Sequence, residues 1–251
     1  MRRIDLGIFL AMAVSLMSGI VRAAEPGALW NYTGDTGPAM WGTLKPEYAA
    51  CANGARQSPI DILPASAIRA RLPKLTFHYD VGHVTYLDQD DQVTVDHGAG
   101  NFVMVGNDKY SLIDVHVHTP GEHRVDGKSY AMEIHFVHRD ANGHMLAIGV
   151  FVERGRVERG VILAPAADKP ELVDLHVSEL LPDRKDYWTY NGSLTTPGCG
   201  EGLRWIVMQR PIQMSADQLK IFAAAVEATW HGSNARPVQP LNGRFVLTPG
   251  L

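Results

Sequence analysis

The sequence predicts a single α+β domain rich in antiparallel β-strands. Three observations lead there. Beyond the first two dozen residues, short apolar stretches alternate with turn clusters, the pattern of antiparallel strands. One strong helix signal stands near the C-terminus. Two cysteines, Cys51 and Cys199, sit in the first and last quarters of the chain, and a bridge between them would join those quarters into one domain.

At the N-terminus, Met1-Arg2-Arg3 precedes an apolar run from Gly7 to Val21, followed by Val21-Arg22-Ala23-Ala24. A basic start, a short apolar stretch and small residues at the end describe a cleaved signal peptide. The run falls short of the ~20 residues that cross a bilayer. The expectation is a signal peptide over residues 1–23, one domain over 24–251, no membrane span after cleavage, and a periplasmic or secreted product. Export places the two cysteines in an oxidising compartment, where a disulfide is the default state. A loop that long gives a stabilisation of about 5 kcal/mol in the chain-entropy model.

The expected strands are Leu75–Tyr79, Val93–Val95, Phe102–Val105, Ile113–His118, Ala131–His138, Leu146–Val152 and Leu203–Met208. Thr119–Ser129 holds Pro120, Gly121 and Asp126-Gly127, and joins two strands as a hairpin. The helix follows Ser215. Ser215 and Gln218 form a capping box, Leu219, Phe222, Ala223 and Val226 give an apolar stripe, and His231-Gly232 ends it.

Charge excludes one class of function. The net charge is −4 with no long run of one sign, so no nucleic-acid footprint is present. Histidine is the unusual residue. Of the 11, five (His116, His118, His123, His135, His138) fall in one short stretch. In a strand, alternate side chains share a face. Asp114, His116 and His118 therefore point one way, and Glu133, His135 and Val137 share a face of the next strand. Paired across the hairpin, three imidazoles converge. Three nitrogen ligands with a vacant fourth position describe a catalytic zinc site. Asp114 and Glu133 stand two residues from a ligand on the same face, placed to accept the second ring N–H. His138 falls on the opposite face and is left out. His78, His83, His144, His176 and His231 lack such company and read as surface residues.

Four segments extend this pattern. They are Arg56-Gln-Ser-Pro-Ile-Asp-Ile62, Asp114 to Lys128 with Ala131 to His138, Tyr187 to Cys199, and Asn234-Ala-Arg-Pro-Val-Gln-Pro-Leu241. In this order they resemble the α-class carbonic anhydrases over about Trp30 to Val246. The resemblance implies a sheet-dominated fold, with a central twisted, mainly antiparallel sheet and short peripheral helices. It implies reversible hydration of CO2 to bicarbonate and a proton through a zinc-bound hydroxide, with Zn2+ on His116, His118 and His135. Thr195 matches the hydroxyl that orients the hydroxide, and Glu122 the carboxylate that accepts the Thr195 proton. Val137, Ala147, Leu194 and Trp205 match the apolar walls of the CO2 pocket, and Thr196 a bicarbonate contact. The cysteine positions resemble the single bridge of bacterial members. Sulfonamide and anion inhibitors, and a possible homodimer, are expected by the same resemblance.

Three departures stand out. Ala147 replaces the usual valine, which implies a roomier pocket that admits small esters. Asp114 replaces a frequent Gln, which implies a more basic His116. The family's proton-shuttle histidine falls on Ala99 or Asn101, neither of which carries a proton, and His97 is the candidate in its place. A binding protein that has lost turnover would be expected to lack a ligand histidine, and all three are present. A zinc-storage protein would need a labile His-rich tract.

Overall fold

The computed structural model describes residues 30–79, 81–84, 100–156, 173–230 and 232–250. The signal segment, the expected strand Val93–Val95, and His97, Ala99 and His231 lie outside them. Among the described residues the N-terminal region holds two single-turn helices, α1 (Trp41–Leu44) and α2 (Ala50–Asn53). The first half of the strands comprises β1 (Asp61–Ile62), β2 (Ile68–Ala70), β3 (Leu75–His78), β4 (Val81–Val84), β5 (Phe102–Val105), β6 (Asp108–His118) and β7 (Arg124–Val125). The rest are β8 (Met132–Arg139), β9 (Met145–Arg154), β10 (Val173–His176), β11 (Tyr187–Ser193), β12 (Glu201–Met208), β13 (Ile212–Met214) and β14 (Leu247–Pro249). Helix α3 (Ala216–Trp230) lies between β13 and β14.

One sheet dominates, in the order β2-β14-β11-β12-β9-β8-β6-β5-β3, with β13 beside β9. From β3 to β9 every neighbouring pair is antiparallel. Past β9 the sheet is mixed: β12 and β13 run parallel to β9, and β2 parallel to β14. The α+β, sheet-dominated expectation holds. The parallel junctions reflect long connections, because parallel neighbours need a crossover where antiparallel ones need only a hairpin.

The central strands are buried on both faces, so they read as nearly continuous apolar runs. On one face Ile134 and Phe136 of β8 join Ile148 and Val150 of β9 and Ile206 of β12 in the larger core. On the other, Ala147 and Phe151 join Tyr190, Leu203, Trp205 and Val207. The histidines of interest stand on this second face. A β-bulge between Leu112 and Asp114 displaces Ile113, which is left exposed, and sets the alternation for Asp114–His118.

Two further features complete the fold. Helix α3 starts on the expected capping box: the Gln218 N–H donates to Ser215 Oγ and the Ser215 N–H to Gln218 Oε1, both at 3.2 Å. Phe222 and Val226 of the expected stripe are buried and Trp230 extends it, whereas Ala223 stays exposed. Trp230 stacks on Trp30, beside Tyr32 and Trp41. The Cys51–Cys199 disulfide belongs to this aromatic cluster, with Cα atoms 5.0 Å apart.

Candidate metal centre

Cross-strand register builds the centre row by row. His116 pairs directly with His135, and His135 with Gly149. On one side, His118 pairs with Glu133; on the other, Asp114 pairs with Val137, Val137 with Ala147 and Ala147 with Trp205. The imidazoles stand in the middle, with acids and apolar walls in the adjoining rows. One ligand atom from each of His116, His118 and His135 lies within 4.8 Å of the others.

The second nitrogen of each ring fixes the tautomer. His116 Nδ1 lies 2.5 Å from Asp114 Oδ2, His118 Nδ1 lies 2.6 Å from the Asn234 carbonyl oxygen, and His135 Nε2 lies 3.0 Å from Glu133 Oε1. Each of those nitrogens therefore donates, which leaves lone pairs on His116 Nε2, His118 Nε2 and His135 Nδ1. His116 Nε2 and His135 Nδ1 face each other at 3.3 Å. Two lone pairs make no hydrogen bond. The separation is instead that of two ligands on one tetrahedral zinc, about 3.3 Å for Zn–N of roughly 2.0–2.1 Å. His118 Nε2 is buried and has no hydrogen-bond partner. A divalent cation would satisfy all three nitrogens, so the residues fit the metal that the sequence implies.

A second grouping, His123–Glu133–His135, shares His135 with the first. Both ring nitrogens of its His123 are already engaged, Nδ1 with Glu133 at 2.7 Å and Nε2 with the Tyr190 hydroxyl at 2.7 Å. It is a hydrogen-bonded brace. Glu133 is its hub, also accepting from the backbone N–H groups of Glu122 and His123. Burial works to raise the Glu133 carboxyl, but His123 and His135 beside it hold it well below the usual range. The absence of a side chain at Gly149 makes room: a Cβ there would stand 2.6 Å from Glu133 Oε1.

Burial holds His118 well below the ordinary imidazole range, and lowers His135 to about 4. Both rings are neutral near pH 7, as metal ligands must be. Glu122 is fully buried, and burial raises its pKa against the Arg236 backbone N–H, which donates to Oε1 at 2.8 Å, and the Thr195 side chain, which donates to the carboxyl. Its Oε2 lies 3.6 Å from His118 Nε2.

Thr195 sits in a loop that the disulfide pins. The Leu194 N–H donates to Gly200 O and the Cys199 N–H to Thr196 O, closing the turn that carries Thr195 and Thr196. Gln57 Nε2 holds the Cys199 carbonyl and Arg236 Nη2 the Cys51 carbonyl, both at 3.1 Å. Trp205 packs edge-on against His135 with ring centroids 4.8 Å apart, and its Nε1 donates to Ser193 O. Val137, Ala147 and Trp205 are buried, while Leu194 is partly open to solvent. Asn101 is buried at the start of β5.

Asn234 and Arg236, in the segment that closes the resemblance, also belong to the centre. The Asn234 carboxamide accepts from the Thr119 N–H and donates to the Val117 carbonyl, while its backbone carbonyl takes His118. Arg236 links Glu122 to Gln57, Ser58 and Cys51. Among the histidines read as surface, His78 and His144 are exposed; the side chains of His83 and His176 lie outside the described residues.

A family model described as eukaryotic-type carbonic anhydrase matches residues 36–249. The chain belongs to the eukaryotic-type, or alpha, carbonic anhydrase family. It is 35% identical over 252 residues to a carbonic anhydrase of Klebsiella pneumoniae, covering 97% of this chain and 98% of that protein. It is 33% identical over 244 residues to one of Pectobacterium atrosepticum, covering 94% and 98%. The alpha-carbonic anhydrase of Thermovibrio ammonificans, solved with the inhibitor sulfanilamide, superposes with a TM-score of 0.78 at 39% identity, over 87% of this chain and 98% of that one. Carbonic anhydrases are lyases, so the chain is placed among enzymes of that class.

Proposed function

We propose that His116, His118 and His135 hold a catalytic zinc ion and that the chain hydrates CO2 reversibly to bicarbonate and a proton. The buried, unpartnered His118 Nε2 carries this reading, since nothing in the protein satisfies it and two more lone pairs are aimed beside it. Bound there, zinc supplies a Lewis acid that brings the pKa of water from ~15.7 toward ~7 and favours the ionised form of Glu122.

The remaining work falls to the side chains. An ionised Glu122 only accepts, so Thr195 must donate to it and keeps a lone pair for the attacking water. That lone pair orients the water, and the Arg236 backbone N–H holds Glu122 at Oε1. Val137, Ala147, Trp205 and Leu194 offer an apolar wall for an apolar substrate, and Thr196 contacts the charged product. Asp114 and Glu133 keep the ligand rings in the tautomers that present lone pairs inward. His97 is the candidate proton shuttle. Ala147 leaves room beside Val137, which supports a secondary activity on small esters.

The signal-like residues 1–23 and the disulfide support export to the periplasm or medium. No described helix is long and apolar enough to cross a membrane. Sulfonamides and small anions are the expected inhibitors by resemblance, and a homodimer is one possible assembly. Stopped-flow CO2 hydration by the purified protein, before and after a chelator, tests the reading. Activity that the chelator removes and zinc restores supports it; a protein that carries one metal per chain and leaves CO2 untouched overturns it.

A further inference from the structure

A cavity of about 570 Å³ opens on the sheet beside β11, β12 and β14. It lies away from the histidines. Trp205 packs on His135, so its neighbour Arg204 points to the opposite face. Tyr190 reaches His123 on the histidine side, so Thr189 and Asn191 point away as well. The cavity is walled by Arg56, Arg204 and Arg244 on its polar side and by Leu72, Phe245 and Leu247 on its apolar side.

Three guanidinium groups gather here in a chain whose net charge is −4. One carboxylate, Glu201, stands near them, 3.4 Å from Arg56 Nε, and its other oxygen takes the Arg56 and Gln57 N–H donors. The three arginines differ in what they have left to give. Arg244 donates to the carbonyls of Leu241, Asn191, Gln57 and Pro240, so it contributes charge more than contacts. Burial, with Arg56 as a like-charged neighbour, lowers its pKa. Arg56 keeps both Nη groups clear of Glu201 and is half-exposed. Among the described residues the Arg204 side chain has no hydrogen-bond or ion-pair partner. Beside them Phe245 is 70% exposed, the most exposed large apolar side chain described.

We propose that this pocket binds a small organic anion, its carboxylate on Arg204 and Arg56 and its flat apolar body on Phe245, Leu72 and Leu247. A guanidinium fork matches a planar carboxylate, and it stacks well beside an aromatic ring. The site shares none of the three candidate metal ligands; Tyr190 lines the cavity while its hydroxyl meets His123, and the anion-binding Arg204 and Arg56 take no part in the proposed reaction, so the proposal stands apart from the assignment of the reaction.

The test is a calorimetric titration of the purified, metal-containing protein with benzoate. Benzyl alcohol (ring without charge) and inorganic phosphate (charge without ring) are the comparators. Each titration is repeated after chelator treatment, because a carboxylate taken by the metal would vanish there. The expected result is benzoate binding that survives chelation, with both comparators at least about tenfold weaker. Arg204→Ala weakens it by about tenfold, Arg204→Lys by less, and Phe245→Ala by roughly threefold to tenfold. CO2 hydration by these variants stays at the level of the parent protein. Benzoate binding that disappears with the chelator, or that Arg204→Ala and Arg204→Lys leave unchanged in folded protein, overturns the proposal. So does phosphate binding as tight as benzoate.

Discussion

His135 and His138 lie three residues apart on β8, and both are buried. His135 faces the acid-lined side of the sheet, where Glu133 takes one ring nitrogen and the other looks toward His116. His138 faces the apolar core, where its Nε2 meets the Tyr79 hydroxyl at 2.6 Å and its ring stacks on that phenol. Depth is the same and the strand is the same. What separates a candidate ligand from a core residue is convergence, with one nitrogen from each of three rings aimed at the same point. The face on which a side chain falls therefore matters more to chemistry than how deeply it is buried.

The largest expected effect breaks this contrast outright. His135→Ala or His118→Ala should cost several orders of magnitude in metal affinity and CO2 hydration, measured by metal content after dialysis and by stopped flow. A metal-replete His118→Ala protein at parental activity would remove these rings from the mechanism.

Glu133 comes next, because it orients His135 without touching the substrate. Glu133→Gln is expected to weaken metal binding by roughly 10- to 100-fold. Gly149→Ala should move affinity in the same direction, since its Cβ would crowd Glu133 Oε1. Competition with a chromophoric chelator reads both, and it separates a tuned ligand from a merely unstable fold.

The pH dependence of the metal-free protein is smaller and has a definite sign. His135 falls to about 4 from the ordinary 6.5 because of burial, and His118 is lowered for the same reason. Below pH 6.5 the unfolded chain takes up protons that these folded rings refuse. Their contribution is therefore complete above about 6.5 and is lost as pH falls toward 4. Urea unfolding midpoints of chelated protein between those limits should decline with acid, and a flat profile would contradict the burial account. The smallest effect on function belongs to His138→Phe. It is expected to cost about 1–3 kcal/mol of stability through the Tyr79 hydroxyl left buried, while activity per folded molecule is unchanged.

Much of the centre was legible because strand period is a local property. Asp114, His116 and His118 alternate, and so do Glu133, His135 and Val137; their faces follow from spacing alone, and the register agrees. Thr195, Glu122 and the pocket residues became visible through resemblance, since nothing local distinguishes a turn threonine or a loop carboxylate. Asn234 escaped notice because its contact with His118 is a backbone carbonyl, which any residue could offer. His123 was counted but given no task, since its partners Glu133 and Tyr190 are remote from it in sequence. Among the elements, β5 and β8 appeared nearly in full. β11 was missed because Thr189, Asn191 and Gly192 interrupt its apolar run. The parallel pairing of β9 with β12 has no local signal, because their register is set by packing between distant segments.

X-ray absorption spectroscopy of the purified metal-bound protein tests the central claim most directly. Three imidazole nitrogens holding one zinc predict four nitrogen or oxygen scatterers at about 2.0–2.1 Å, together with the outer-shell scattering of three imidazole rings. The His118→Ala protein should lose one imidazole from that shell. A metal shell built from carboxylate oxygens, or one that the substitution leaves intact, would contradict the account.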